Sequence, residues 1–509
     1  MAGATELPEK GTKCLLTVNI PKPPSISPAT EAEIETAATA EKGTPLSPTA
    51  RLFLQPNFNC HIIAILGFAK IIAADEMKAG LQATLVRHPR FSSVQVSQNS
   101  RKDKPRWVPT KVNLDDHLFY PELGPAAAVS ASDHAAGDRF VEDYATTLCQ
   151  TPLDPSRPLW DLHFLSIRTT EAAAGVAIFR IHHSLGDGIS LMSLLLACTR
   201  KTSDLESLPT LPEARRRPAA AASGVGAWVF LFWLWNFVVY AWNSLAGSLL
   251  YVASTFFLKD TRTPISGSEG VEFRPKRFVH RIVSLDDVKA IKCAMGCTIN
   301  DVLLGVTSAA LSRYLSRIYD GHLPQSLRIR TSMLVNIRPT SGINALAEMM
   351  KKGSDARWGN RLGYMLLRFP VMMCEDPLDY IRKGKEVAEK KKNSWEAIFT
   401  YTSGLLIVKC LGFKVITAMC HRIISNTTLS FSNVVGPTEE VSLFGSPLVY
   451  IAPSVYGHPQ ALSIHFQSYQ NKLTVAMAVD ELAIPDPHKL LDDVAQSLQL
   501  IKDAATARS

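Results

Sequence analysis

The sequence predicts an α/β (α+β) chain in two halves, joined by a hydrophobic membrane-associated segment. Three observations lead there. From Pro45 to about Leu205, short apolar runs alternate with segments that are apolar at helical spacing, the pattern of strands and helices layered in one domain. Between Pro218 and Leu258 no residue carries a charge, and the run is crowded with aromatic side chains. After Gly270 the mixed pattern returns and continues to the C-terminal helix. With 509 residues to bury, two domains of roughly 200 residues are expected rather than one core.

Composition narrows the chemistry. The net charge is +8 with acidic and basic residues intermixed, so no nucleic-acid surface is expected. Nine cysteines are scattered along the chain. Cys293 and Cys297 lie close together but have no second pair and no neighbouring histidines, so no metal is expected. Reduced thiols favour a cytosol-facing protein. Residues 1–44 are rich in Ala, Thr, Pro, Glu and Lys without apolar periodicity and are expected to be a disordered tail.

In chain order, His61 to Phe68 reads as a strand and Ile72 to His88 as a helix stopped by Pro89. The run Pro158 to Leu165 alternates and reads as a strand. Next comes Gly175 to Arg200, GVAIFRIHHSLGDGISLMSLLLACTR, around which the rest is organised. Val176 to Ile181 is a buried strand and Ile189 to Cys198 a helix. Between them stand His182, His183, Ser184, Leu185, Gly186, Asp187 and Gly188. Two adjacent histidines at the end of a buried strand point to proton transfer, because imidazole titrates at about pH 6.5. Asp187 is expected to cap the following helix. A second H-x-x-x-D, His134 to Asp138, falls in SASDHAAGDR and reads as a solvated turn.

Leu208 to Pro218 is proline-rich and carries Arg215, Arg216 and Arg217. The uncharged run that follows is long enough to cross a bilayer. A single crossing would put His183 and the later motifs on opposite sides. A re-entrant or hairpin insertion bending near residues 243–248, or a helix lying in the interface, is therefore expected. In the second half, Phe278 to Leu285 reads as a strand. Thr298 to Ile318 is a helix with Thr298 and Asp301 in a capping box. Met333 to Pro339 is a strand running into a turn, and Lys383 to Lys392 is a basic run at helical spacing. Ser432 and Asn433, before Gly436-Pro437, are placed to donate to a developing oxyanion. Ala461 to Phe466 and Leu473 to Val479 read as neighbouring strands, and Leu490 to Ile501 as a helix.

HHSLGDG resembles the H-H-x-x-x-D-G signature of the chloramphenicol-acetyltransferase-like acyltransferases. The segment opening at Pro45, the Pro158-Leu159-Trp160 run, Asn300-Asp301, the V-N-I-R-P stretch ending at Pro339, Trp358 to Gly363 and Ser432 to Pro437 resemble motifs of the plant branch of the wax ester synthase/diacylglycerol acyltransferase family. The resemblance covers about residues 45–501. It implies two chloramphenicol-acetyltransferase-like domains with a tunnel between them. The first would span 45–205 and the second 276–509, with a linker at 206–275 that contains the membrane segment at about 219–258.

The activity implied is transfer from acyl-CoA to a long-chain fatty alcohol, giving wax esters, and to diacylglycerol. His183 would be the general base, His182 an orienting neighbour and Asp187 a brace for the loop, paired with Arg338. Gly188, Asn300, Ser432 and Asn433 are candidates for substrate or oxyanion contacts. Acyl-CoA is a co-substrate, and no cofactor or metal is implied. The implied location is the endoplasmic reticulum membrane with the site facing the cytosol, or the plasma membrane. Two rivals share part of the pattern: a condensation-type enzyme acting on carrier-bound substrates and a catalytically silent lipid-binding scaffold. A soluble plant alcohol acyltransferase is disfavoured because its D-F-G-W-G motif is missing.

Overall fold

The computed structural model describes residues 43–96, 105–124, 130, 132–171, 173–210, 227–324, 326–337, 358–360 and 362–508. The N-terminal tail to residue 42, Arg215–Arg217 and Arg338 lie outside the described residues. Two mixed sheets carry the fold. The first has seven strands in the order Leu118–Phe119, Trp160–Leu165, Gly175–His182, His61–Phe68, Ser446–Tyr456, Val441–Leu443 and Thr199–Lys201. The second has six, in the order Leu362–Phe369, Ile329–Asn336, Leu429–Val434, Leu462–Tyr469, Lys472–Val479 and Arg277–Ser284.

The sequence boundary at residue 276 divides the chain but not the sheets. Val441–Leu443 and Ser446–Tyr456 come from the second half, yet both lie in the first sheet, and Tyr456 pairs with His61. This crossover strand locks the halves together through its backbone ladder, which no periodicity argument could foresee.

Strand alternation decides what each face meets. Ile62, Leu66, Ala177 and Ile181 turn one face of the first sheet toward the helices Ala74–Ala83 and Gly188–Cys198. Ile63, Ile65, Val176 and Ile178 turn the other toward helix His134–Leu148 and toward Ala476 and Ala478 of the second sheet. In the second sheet, Phe431, Ile464, Phe466, Val475 and Met477 fill a core with helix Ile299–Ile318. That leaves Ser430, Ser432, Ser463 and His465 on the opposite face, directed at the first sheet.

Two local expectations change. The stretch around His134 is the start of a helix, capped by the Asp133 side chain on the Ala136 amide, rather than a solvated turn. The long apolar segment forms one unbroken helix, Ala227–Phe256, of 30 residues and about 45 Å. It does not bend at residues 243–248, because its small polar residues there dock instead of turning the chain. Ser244 Oγ accepts the Trp395 amide at 2.9 Å. Gly247 has no side chain where the buried Glu396 carboxyl packs; an added Cβ would fall 2.6 Å from Glu396 Oε2. Near the end of the helix the Asn426 amide donates to the Ser254 carbonyl at 2.6 Å. Residues 230–238, by contrast, are exposed on every side.

Candidate active site

Strand Gly175–His182 runs beside His61–Phe68, with His182 opposite His61. The chain then turns through Ser184 and Leu185 into helix Gly188–Cys198. Asp187 begins that helix, its Oδ1 accepting the Ser190 amide at 2.9 Å. It is a cap that fixes the exit of the loop, as expected.

The two histidines have opposite surroundings. Both nitrogens of His182 are engaged: Nδ1 lies 2.6 Å from Ser184 Oγ and Nε2 lies 2.9 Å from Asn59 Oδ1. Gln95 donates to Ser184 Oγ at 2.6 Å, so the serine proton points at Nδ1 and the ring carries its own proton on Nε2. Burial, with His61 and His183 nearby, holds His182 well below the usual histidine range. This ring is a fixed neutral support.

His183 donates its backbone amide to the Cys60 carbonyl at 2.9 Å, and its ring stacks on Phe53 at 4.2 Å between centroids. Its Nδ1 is buried without a partner of ordinary hydrogen-bond geometry. Burial pushes its pKa below 6.5, against the pull of its own backbone carbonyl, Asp187 and the Asn360 amide. A neutral, oriented and desolvated imidazole is a competent proton acceptor at neutral pH.

The second half reaches over to hold this loop. Asn360 Nδ2 donates to the His183 carbonyl at 2.9 Å, and Trp358 Nε1 donates to the Leu185 carbonyl at 2.7 Å. Gly359 between them has φ +109, a conformation that favours glycine, so the two side chains can both face the loop. On the other flank, Gly457 comes so close to Asn59 that a Cβ would meet its carbonyl at 2.2 Å. The Trp358-Gly359-Asn360 segment, which the sequence marks only by its family resemblance, braces the histidine loop.

Helix Gly188–Cys198 covers an apolar cavity of about 110 Å³ against the first sheet. Ile62, Ala64, Phe179, Leu191 and Leu195 line it, and Gly188, Val434 and Gln467 also border it. Helix Gly188–Cys198, eleven residues and about 16 Å long, forms one wall of it. Gly188 stands against Val434, with an added Cβ 3.6 Å from Cγ2. Gln467 is fully buried there, with its Oε1 unpartnered.

Of the other candidates, Ser432 sits opposite His465 in the parallel pair, on the face directed at the first sheet. Asn433 Nδ2 donates to Asn300 Oδ1 at 2.7 Å at an exposed edge, so these two amides bind each other. Neither donates to the histidine loop among the described residues. Asp301 completes the capping box with Thr298. His458 and His465 went unnoticed in the sequence. Both are buried near His183, and burial lowers them to about 3 and about 4. No local motif marks them: His465 lies on strand Leu462–Tyr469 and His458 in the bend after Tyr456. Among the described residues no group of three or more His, Cys, Asp or Glu side chains could hold a metal.

Two sheets sharing a crossover strand, with a paired-histidine loop at their junction, define the acyltransferase fold that also serves peptide-synthetase condensation domains. The wax ester synthase/diacylglycerol acyltransferase of Marinobacter aquaeolei VT8 superposes with a TM-score of 0.57 at 19% identity, covering 91% of this chain and 100% of that one. The first condensation domain of the calcium-dependent antibiotic synthetase superposes with a TM-score of 0.54 at 13% identity, covering 92% and 97%.

Sequence similarity is more specific. Residues 69–303 match the wax ester synthase/diacylglycerol acyltransferase catalytic domain, and residues 358–502 match the WS/DGAT C-terminal domain. Wax ester synthase/diacylglycerol acyltransferase 5 of Arabidopsis thaliana is 45% identical over 489 residues, covering 92% of this chain and 95% of that protein. Wax ester synthase/diacylglycerol acyltransferase 11 of the same plant is 46% identical over 485 residues, covering 93% and 98%. The chain belongs to the wax ester synthase/diacylglycerol acyltransferase family.

Proposed function

We propose that this protein transfers acyl groups from acyl-CoA to long-chain fatty alcohols, making wax esters, and acylates diacylglycerol more slowly. The observation that carries the reading is His183. It is pinned by both halves of the chain, stripped of water, and set in the loop that opens the helix over an apolar cavity. Its neutral ring removes the hydroxyl proton as the alcohol oxygen attacks the thioester carbonyl. The carbon–sulfur bond breaks, and the imidazolium returns the proton to the CoA thiolate. No acyl-enzyme is needed.

The cavity beside Gly188 suits the acyl chain, and Ser432 is the remaining candidate donor to the thioester oxygen. Asn433 donates to Asn300 at an exposed edge, and neither is assigned to the oxyanion. The exposed apolar helix supports residence on a membrane, here assigned to the cytosolic face of the endoplasmic reticulum. Unpaired thiols at all eight cysteines among the described residues support the cytosolic side.

The test supplies labelled palmitoyl-CoA with hexadecanol or diacylglycerol to wild type and His183→Gln. Wild type is expected to favour the wax ester, and the variant to lose roughly 10²–10⁴ in rate. Equal product from both removes His183 from the chemistry. No product from folded wild type with either acceptor points to the scaffold.

A further inference from the structure

A second cavity, of about 60 Å³, shares no residue with the first. Its walls include Leu52, Tyr251, Tyr364, Gly404, Val408 and Cys420. These come from the short N-terminal helix Pro48–Leu52, the long helix Ala227–Phe256 and the hairpin of helices Glu396–Leu411 and Phe413–Ser425. At its inner end the chain passes from Leu52 to Phe53, whose ring stacks on His183. Leu52 and Phe53 share one apolar cluster with Ile416, Cys420 and Ile424.

The outer end has a different character. Leu405 belongs to the wall and is 37% exposed. Around it Trp395, Ile398, Leu406 and Leu411 point outward, continuous with the apolar flank of the long helix that the hairpin packs against. Charge points the same way. From residue 397 to 425 there are three cations, Lys409, Lys414 and Arg422, and no acidic residue. Arg51 stands over the Phe413 ring at 3.7 Å, at the same rim. An apolar platform edged by cations matches a bilayer with anionic headgroups.

We propose that this cavity is a lateral portal: a long-chain alcohol or diacylglycerol enters it from an anionic bilayer and reaches His183 past Phe53, which acts as the gate. The inference rests on the acyltransferase reading above and adds the acceptor's route. A lipid alcohol extracted through water would lose the burial of its whole chain, and a route walled by apolar side chains avoids that loss. Phe53 is 1% exposed and makes only apolar and ring contacts through its side chain, so a rotation of the ring opens the way without breaking a hydrogen bond. Entry here also leaves the separate cavity beside Gly188 to the acyl chain.

The full chain is assayed on phosphatidylcholine–phosphatidylserine vesicles with palmitoyl-CoA and either hexadecanol or hexanol, as wild type and Val408→Trp. Filling the portal is expected to lower kcat/KM for hexadecanol about tenfold more than for hexanol. An equal change for both alcohols overturns the portal. Unmodified protein is then irradiated with a diazirine-bearing long-chain alcohol in the same vesicles. Label on residues 400–420 or beside Leu52 supports the route, and label confined to residues 188–198 overturns it. Labelling does not depend on turnover or on the variant folding, so it reads the portal even where failure to form product would count against the acyltransferase reading instead.

Discussion

The histidine loop and the free end of the long helix are held in opposite ways. The loop is tied by side-chain bonds to Asn59, Gln95, Trp358 and Asn360, and capped by Asp187. Three separate stretches of chain converge on seven residues. Residues 230–242 of the helix instead present Trp233, Trp235 and Trp242 at 61%, 67% and 68% exposure, while residues 243–256 are fastened to the second half. The difference divides the labour. A proton acceptor must hold its position to a fraction of an ångström, whereas a lipid anchor needs only to find the hydrocarbon.

The largest expected effect tests the rigid side. Asn360→Ala removes the donor to the His183 carbonyl and the amide beside the ring. A loss of roughly 10²-fold in kcat is expected, with KM for palmitoyl-CoA little changed, because misplacing the base damages the transition state more than binding. Asn360→Asp keeps the shape but loses the amide donor and should fare no better. If Asp restores the rate, or if KM carries the loss, the brace is merely structural.

A smaller effect tests the compliant side. Replacing Phe230, Trp233, Trp235 and Phe237 together by Ser should cut vesicle co-flotation by about tenfold or more, since each ring contributes of order 1 kcal/mol on burial in lipid. Thermal stability should barely move, because these side chains pack on little else in the protein. A variant that unfolds would show that the tip belongs to the protein's own core.

The same division explains what the sequence could reveal. Local signals were legible: the strand ending at His182, the Asp187 cap and the Thr298–Asp301 capping box stand where strand, turn and helix signals put them. The exposed helix was legible as lipid-seeking from its missing charges. Its continuity was not, since Asn243, Ser244 and Gly247 look like a turn until Glu396 and Trp395 are seen against them. The hydrogen bond from Asn433 to Asn300 was not legible, because a local motif cannot say which partner 133 positions away will meet an amide. His458, His465 and the bracing role of Asn360 were hidden for the same reason. They depend on which distant segments the fold brings beside the loop, and no local pattern carries that.

The smallest and most graded effect is acid sensitivity, and it separates the two regions by chemistry alone. His61, His458 and His465 are buried at or near the site, and burial lowers them to about 3, 3 and 4 from 6.5. Unfolded chain binds a proton at each as pH falls through 6.5, and folded chain does not. The stability these neutral rings confer is therefore full above pH 6.5 and is lost progressively between pH 6.5 and about 4. Each ring contributes about 1.4 kcal/mol per pH unit in that window, so these three add about three protons to the slope of unfolding free energy against pH, alongside the likewise depressed His88, His182 and His280. Urea titrations at pH 7, 6 and 5 measure it, and His458→Gln should remove one proton from the slope. A flat profile would mean the rings are hydrated and the chamber is not dry. Vesicle binding by the helix tip should stay level over the same range, because no residue from Pro218 to Leu258 titrates there. Should anchoring fade with the fold, the tip and the histidine chamber are not the independent regions that their opposite packing implies.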